Sequence, residues 1–204
     1  MWKSFLNLVR GVPMQSSDFR RVTLLAAAWM RSRLKPGESA VDATAGTGED
    51  TCLLAECVGD SGKVYAFDIQ ETAIQQTKEK LKERQLAEPV RLFCQGHETM
   101  GEISEIAEDR KIAGIMFNLG YLPGGDKGVA TDPKTTLKAV KTAVTLLAPK
   151  GIMTLCLYRH PGGDDESVQT EAFCASLGKG YNVHKIETIN KNDPPYLIVV
   201  EKTE

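Results

Sequence analysis

Hydrophobic and polar residues follow one another along this chain in two patterns, one typical of helices and one typical of buried strands. From about Ser17 to Leu34, apolar residues recur every three or four positions and would form one face of a helix. Those positions are Val22, Leu25, Ala26, Trp29 and Met30. The Pro-Gly pair at 36–37 ends this pattern, so the sequence predicts one N-terminal helix ahead of the first strand.

Short apolar runs and helical patterns then alternate. The runs that predict buried strands are 39–42, 63–67, 90–94, 112–117 and 151–158. The helical patterns that follow them are 50–58, 71–86, 100–108, 133–147 and 166–177. Repeated strand-helix units imply a parallel sheet with helices on both faces.

The C-terminal end of the chain shows a different arrangement. Two strand patterns, 181–189 and 196–201, are separated only by a short polar turn, which predicts an antiparallel hairpin. The sequence therefore predicts an α/β fold with a seven-stranded sheet and an antiparallel C-terminal hairpin.

Length and composition limit the class of protein. A chain of 204 residues with 42% hydrophobic and 25% charged residues is typical of one globular domain, so we expect 1–204 to be a single domain. The five cysteines form no Cys-x-x-Cys pair and mostly lie in apolar runs, which disfavours a metal site and indicates a reducing compartment. We expect a cytoplasmic protein without a membrane segment, because no signal peptide or long apolar stretch is present.

Charge is distributed unevenly along the chain. Residues 1–36 carry seven basic residues and one acidic residue, a net charge of +6. The rest of the chain has a net charge of −8, which gives −2 for the whole chain. This basic, helical N-terminal segment is a candidate phosphate-binding face for a nucleic-acid partner. From charge alone, a solvated helix is the favoured interpretation, and the segment could equally form a homodimer interface.

The ends of the predicted strands carry the candidate chemistry, because ligands of such sheets bind beyond the carboxyl ends of the strands. The first strand ends at Asp42, and the turn after it supplies Gly46 and Gly48, which let the backbone approach a ligand closely. The second strand is followed by Asp68, whose carboxylate can accept hydrogen bonds from ribose hydroxyls. The pattern indicates a nucleoside site.

The residues around the glycine turn favour one nucleoside cofactor over another. A dinucleotide-binding loop needs a third glycine where this chain has Thr51, and the acids Glu49 and Asp50 oppose a pyrophosphate. S-adenosylmethionine lacks phosphate and carries positive charges, which carboxylates such as Asp42 and Asp50 attract. An NAD-dependent oxidoreductase is therefore disfavoured.

Three further strand ends supply polar or aromatic groups. His97, after the third strand, could bind the adenine edge or simply cap the next turn. Asn118 and Tyr121, after the fourth, could orient a substrate amine and stack on a flat base, or belong to a glycine-rich surface turn. His160, after the fifth, could take a proton or touch substrate, or be an ordinary surface residue.

Four motifs together carry a family resemblance. They are the segments 42–51 (DATAGTGEDT), 95–98 (QGHE), 118–127 (NLGYLPGGDK) and 158–163 (YRHPGG). They resemble the YtqB-like rRNA methylase family, whose members are understood as tRNA 5-aminomethyl-2-thiouridine methyltransferases (MnmM). The resemblance covers the chain from about Arg20.

The resemblance implies a fold and a reaction. It implies a Rossmann-like methyltransferase fold with strand order 3-2-1-4-5-7-6, and methyl transfer from S-adenosylmethionine to the amine of 5-aminomethyl-2-thiouridine at the tRNA wobble position. Asn118 and Tyr121 look like a variant of the Asn-Pro-Pro-Tyr signature of amino-group methyltransferases. This chain departs from the family at Thr47 and Glu49, where relatives commonly carry Asn and His.

The expected catalytic residues are Asn118, Tyr121, Asp126 and His160. The expected cofactor-binding residues are Asp42, Gly46, Thr47, Gly48, Asp50, Thr51, Asp68, Gln70, His97 and Glu98. The alternatives are a methyltransferase that acts on rRNA or on a small-molecule amine, and a non-catalytic nucleoside-binding module.

Overall fold

A computed structural model of the protein describes residues 22–119, 132–158 and 164–204. Seven strands in this part of the chain form one sheet: β1 (Ser39–Asp42), β2 (Lys63–Asp68), β3 (Val90–Cys94), β4 (Ile112–Leu119), β5 (Ile152–Leu157), β6 (Tyr181–Glu187) and β7 (Tyr196–Lys202). Their order is β3-β2-β1-β4-β5-β7-β6, and only β7 pairs antiparallel with both of its neighbours. The predicted α/β fold, strand order and C-terminal hairpin are confirmed.

Helices connect the strands as the βα pattern requires. The helices are α1 (Val22–Arg33), α2 (Glu49–Val58), α3 (Glu71–Glu83), α4 (Ser104–Ala107), α5 (Pro133–Leu146) and α6 (Asp164–Ala175), with a 3-10 helix over His97–Glu102. Asp132 caps α5, since its side chain accepts from the backbone N–H groups of Lys134 and Thr135. Pro133 occupies the first turn, where its missing N–H costs nothing.

The predicted helix over 100–108 is wrong in part. This segment forms the 3-10 helix and then the single turn of α4, with Ile103 between them in an extended conformation. Gly101 explains part of the difference, because a Cβ at this position would lie 2.7 Å from Thr142 Cγ2 on α5. Close packing on α5 therefore shapes the segment more than its own helical pattern does.

Apolar side chains of the strands point to two cores, one on each face of the sheet. Ala40 belongs to the core under α1 and α2, whereas its neighbour Val41 belongs to the core under α5. Helix α1 crosses β4 at Gly114, where a Cβ would lie 2.9 Å from Met30 Sδ. Among the helices of the described ranges, none has the length and apolar character of a membrane span.

The strand order places a reversal between β1 and β4. From β1 the chain continues to β2 and β3 on one side of the sheet, and then crosses to β4 and β5 on the other. The connections leave the sheet in opposite directions there, which opens a crevice at the carboxyl ends of β1 and β4. Strand β4 extends to Leu119, two residues beyond its predicted end, so Asn118 lies within the strand beside this crevice.

Candidate active site

A cleft of about 830 Å³ opens at the carboxyl ends of β1, β2 and β4. It brings together most of the predicted site residues within the described ranges. The predicted residues that line it are Gly46, Thr47, Asp50, Asp68, Gln70, His97, Glu98 and Asn118. Tyr121, Asp126 and His160 lie outside the described residues.

The loop between β1 and α2 is held against α3. Gly48 has a left-handed conformation with φ of 82°, and a Cβ there would lie 2.9 Å from Thr77 Cα. The Thr77 hydroxyl donates a hydrogen bond to the Gly46 carbonyl at 3.3 Å. Gly48 therefore lets the loop pack closely on α3 and does not itself line the cleft.

Asp42 lies beneath the loop and is fully buried. Its Oδ1 accepts the backbone N–H of Thr44 at 3.1 Å, and its Oδ2 accepts the Thr51 hydroxyl at 2.6 Å. Neither Asp42 nor Thr51 lines the cleft. The sequence predicts that both residues bind the cofactor, and the structure shows that they fix the loop which forms the cleft wall.

Two carboxyl groups near the loop have raised pKa values. Burial, with a smaller contribution from the neighbouring Asp50 carboxylate, raises the pKa of Asp42 to about 7. Burial and then the Glu49 carboxylate raise the pKa of Asp50 to about 6. Asp42 is fully buried and Asp50 is partly buried, and neither has a cationic partner among the described residues, so this end of the cleft favours a positively charged ligand.

Asp68 joins the loop after β1 to the loop after β2. Its Oδ2 accepts the Gly46 N–H at 2.9 Å, and its Oδ1 accepts the Gln70 N–H at 2.9 Å. Each carboxylate oxygen can accept a second hydrogen bond. A group with two adjacent hydroxyls, such as a ribose, would find two acceptors here.

His97 is oriented by the chain that leaves β1. Its Nδ1 lies 3.1 Å from the Ala43 carbonyl oxygen and therefore carries the proton that it donates. Its ring also meets Phe117 edge-on, with 5.7 Å between ring centroids. Burial lowers the His97 pKa, which favours the neutral ring. Nε2 is then a buried acceptor, and it has no hydrogen-bond partner among the described residues.

Asn118 lines the cleft from β4, which lies between β1 and β5 in the sheet. It pairs with Cys156 of β5, and its backbone N–H donates to the Thr44 hydroxyl oxygen at 2.8 Å. An Asn side chain carries both a donor and an acceptor, so it can orient an amine without exchanging a proton. The structure thus brings the predicted amine-binding residue to the loop that forms the cofactor site.

Among the cleft residues to which the sequence assigned no role are Ile69, Tyr158 and Thr44. Ile69 follows Asp68 and is 60% exposed. An apolar residue directly after the strand-end acid is the sequence feature that could have identified it as a cleft residue. Tyr158 follows β5, and burial raises its pKa to about 12, so the phenol keeps its proton at neutral pH. Thr44 lies inside the glycine motif, but its contact with Asn118 spans 74 residues and leaves no local signal.

Glu49 forms ion pairs with residues at the C-terminal end of α3. Its carboxylate oxygens lie 2.7 Å from Lys80 Nζ and 2.9 Å from an Arg84 guanidinium nitrogen. These partners lower the Glu49 pKa, the Lys80 hydrogen bond most of all. Exposed ion pairs stabilise a protein little, so their effect is to direct the Glu49 side chain toward α3.

Residues 22–119, 132–158 and 164–204 contain no cluster of three or more His, Cys, Asp or Glu side chains that could hold a metal ion. The cleft presents hydrogen-bond acceptors and the partly buried acid Asp50, which suit a cationic nucleoside.

The strand order, the glycine loop after β1, the acid at the end of β2 and the amide on β4 define a Rossmann-like methyltransferase that depends on S-adenosylmethionine. The chain belongs to the family described as "Putative rRNA methylase", whose model matches residues 64–201. The resemblance seen in the sequence motifs is therefore confirmed.

Known proteins similar to this chain support the assignment. A "tRNA (mnm(5)s(2)U34)-methyltransferase, chloroplastic" of Arabidopsis thaliana is 36% identical over 195 residues, which cover 91% of this chain and 70% of that protein. A putative rRNA-methylase structure from Clostridium thermocellum is 34% identical, with a TM-score of 0.85 and coverage of 94% of this chain and 100% of that chain. A putative methyltransferase from Streptococcus mutans in complex with SAH is also 34% identical, with a TM-score of 0.79 and coverage of 89% and 98%.

The raised pKa of Asp42 predicts how the stability of the free protein depends on pH. The folded state holds the Asp42 proton up to a pH of about 7, whereas the unfolded state releases it near 3.8. Folding is therefore favoured at low pH, and this contribution is lost as the pH rises from about 4 to about 7. Between pH 5 and pH 8, the free energy of unfolding should fall more for the wild type than for Asp42→Asn.

Urea unfolding without cofactor at the two pH values measures this difference. Asp60→Asn, which removes an exposed acid outside the cleft, is the matched control and should follow the wild type. An equal fall for Asp42→Asn and the wild type would show that Asp42 is ionised in the folded protein at pH 5.

Proposed function

We propose that the protein transfers a methyl group from S-adenosylmethionine to the primary amine of 5-aminomethyl-2-thiouridine at the wobble position of tRNA. The observation that carries this proposal is the placement of Asn118, bonded through its backbone to the loop that forms the cofactor site. The name of the Arabidopsis relative supports the substrate, since it describes a methyltransferase of this modified wobble uridine.

The cofactor is held by groups that can still accept hydrogen bonds in the free protein. Asp68 accepts the ribose hydroxyls with its remaining lone pairs, and the buried Nε2 of His97 accepts an N–H of the adenine edge. Asp50 attracts the α-ammonium group at the amino acid end. Gly46 and Thr47 form the adjoining wall, with Gln70 and Glu98 at the adenosine side.

The same residues argue against a dinucleotide. Asp50 lies in the first turn of α2 and lines the cleft, so a pyrophosphate at this N-terminus would meet its carboxylate. Thr51 occupies the position of the third glycine in a dinucleotide-binding loop, and its hydroxyl donates a hydrogen bond to Asp42. An NAD-dependent oxidoreductase is therefore not supported by the cleft.

The reaction requires a neutral amine in a fixed orientation. Aliphatic amines titrate near about 10, so the substrate arrives mostly protonated at neutral pH. Bound S-adenosylmethionine supplies a methyl group on a sulfonium, which the amine lone pair takes as the carbon–sulfur bond breaks. Asn118 binds the amine N–H groups through its amide oxygen and directs the lone pair, which accelerates transfer by orientation.

The proton that the amine loses needs an acceptor, and Asn118 cannot serve as a base. His160 is the candidate for this role from the sequence, Asp126 is expected among the catalytic residues, and Tyr121 is expected to stack on the base. Their roles stay predictions, since all three lie outside the described residues.

The basic N-terminal segment is a weaker argument for RNA than its charge indicates. Of its seven basic residues, Arg31 pairs with Glu56 at 3.1 Å and Arg33 pairs with Glu38 at 3.2 Å. Two of the cations are thus partly neutralised within the protein, and phosphate contacts would fall to the others. The use of this segment as a homodimer interface stays an open alternative, and the cytoplasmic location stays a prediction.

The cofactor assignment predicts the effect of removing Asp68. Asp68→Ala removes the acceptors for both ribose hydroxyls, so it should weaken S-adenosylmethionine binding by about 1–3 kcal/mol, the cost of charge-assisted hydrogen bonds. Calorimetric titration of folded protein measures the affinity, with Asp60→Ala as a control that should bind normally. Unchanged affinity in Asp68→Ala, or tighter binding of NAD than of S-adenosylmethionine by the wild type, would contradict the assignment.

The substrate assignment predicts the effect of removing the Asn118 amide. In single-turnover assays on tRNA that bears 5-aminomethyl-2-thiouridine, Asn118→Ala should methylate roughly 10²-fold more slowly than the wild type, as expected for lost positioning. Its affinity for S-adenosylmethionine should persist, because Asp50, Asp68 and His97 are unchanged.

A matched tRNA that lacks the aminomethyl group is the control for this assay and should not be methylated. Equal methylation of both tRNAs would exclude the amine as the target. It would favour the alternative of an RNA ring atom or ribose, in rRNA or tRNA.

A further inference from the structure

The ladder of hydrogen bonds between β1 and β4 ends where β1 leaves the sheet. Asp42 pairs with Met116 in the parallel register, and the Ala43 N–H donates to the Met116 carbonyl at 2.9 Å. In a regular parallel ladder, the next donor of β4 is the N–H of Asn118, and its acceptor is a backbone carbonyl of the neighbouring strand. That acceptor is missing here, because the chain after Ala43 turns into the cofactor loop.

A side chain replaces the missing carbonyl. The Ala43 carbonyl accepts from His97 Nδ1 at 3.1 Å, and the Asn118 N–H donates to the Thr44 hydroxyl oxygen at 2.8 Å. On the side of β1, the end of β4 is thus held by the Thr44 side chain and not by the backbone of β1, whereas β5 pairs with it on the other side. A partly buried backbone N–H without this acceptor would lose a hydrogen bond that the fold otherwise supplies.

Thr44 is itself fixed in the cofactor loop. Its own backbone N–H donates to Asp42 Oδ1 at 3.1 Å, and its side chain lines the same cleft as Asn118. One residue therefore bonds to the buried Asp42 through its backbone and to the β4 strand through its side chain. The two walls of the cleft, one for the cofactor and one for the substrate amine, meet at this residue.

We propose that Thr44 is a positioning residue that holds Asn118 in register with the cofactor loop. Thr44 acts through Asn118, because its hydroxyl oxygen fixes the position of the Asn118 backbone N–H. The backbone position in turn determines where the Asn118 side-chain amide lies relative to the transferred methyl group. The proposal rests on the proposed function, in which Asn118 orients the amine. Small displacements of a positioned group are costly, since about 1 Å can lower a rate by roughly 10²-fold.

Two substitutions separate the hydroxyl from the shape of the side chain. Thr44→Val keeps the shape and removes the acceptor, whereas Thr44→Ser keeps the acceptor and removes a methyl group. In single turnover, Thr44→Val should react about tenfold or more slowly than the wild type, and Thr44→Ser should recover most of the rate. The affinity for S-adenosylmethionine should change by less than about threefold in both, because Asp50, Asp68 and His97 keep their positions.

A double-mutant cycle tests whether Thr44 acts through Asn118. In an Asn118→Ala background there is no amide left to position, so adding Thr44→Val should cause no further loss of rate. Additive losses would overturn the proposal, because Thr44 would then act on the cofactor or the loop alone. A wild-type rate for Thr44→Val would also overturn it.

A measurement without substrate separates this proposal from the proposed function. Amide hydrogen exchange at Asn118 should be faster in Thr44→Val than in the wild type and close to the wild type in Thr44→Ser. Unchanged exchange in Thr44→Val would overturn the hydrogen bond itself, whatever the substrate. If exchange changes as expected but the wild type does not methylate the aminomethyl tRNA, the proposed substrate fails and the positioning contact stands.

Discussion

The buried carboxylate of Asp42 is the interaction on which the rest of this site depends. It stands at the last residue of β1, where it accepts hydrogen bonds from Thr44 and from Thr51. Burying a carboxylate is unfavourable unless its oxygens are hydrogen-bonded, and the raised pKa of Asp42 shows that these two bonds offset the cost only in part. The nearby Asp50 adds a second acid, so the free protein carries unfavourable charge at a place that a cationic cofactor would relieve.

From this point the chain builds both walls of the cleft. The Asp42–Thr51 bond fixes the start of α2, and Asp68 holds the loop from the side of β2 through the Gly46 N–H. The Asp42–Thr44 bond fixes the residue whose hydroxyl meets Asn118 on β4. A methyltransferase must bring a sulfonium and a nucleophile into line, and here one short stretch of backbone is bonded to the residues proposed for both tasks.

Much of this arrangement could be predicted from the sequence, because it follows from local patterns. Strand periodicity and the C-terminal hairpin determined the fold class, and strand ends identified Asp68, His97 and Asn118 as cleft residues. What could not be predicted depends on tertiary contacts. Thr44 accepts a hydrogen bond from a residue 74 positions away, and Asp42 is hydrogen-bonded to Thr51 beneath the loop. The packing of Gly101 on α5 interrupts the expected helix over 100–108.

The most direct test of the central claim is mass spectrometry of tRNA nucleosides from a strain that lacks the gene. The account predicts that 5-aminomethyl-2-thiouridine accumulates and its methylated form is lost. It also predicts that the wild-type gene restores the methylated nucleoside and that a gene with Asn118→Ala restores much less. A deletion strain with an unchanged level of the methylated nucleoside would contradict the claim, whatever other RNA the enzyme methylates.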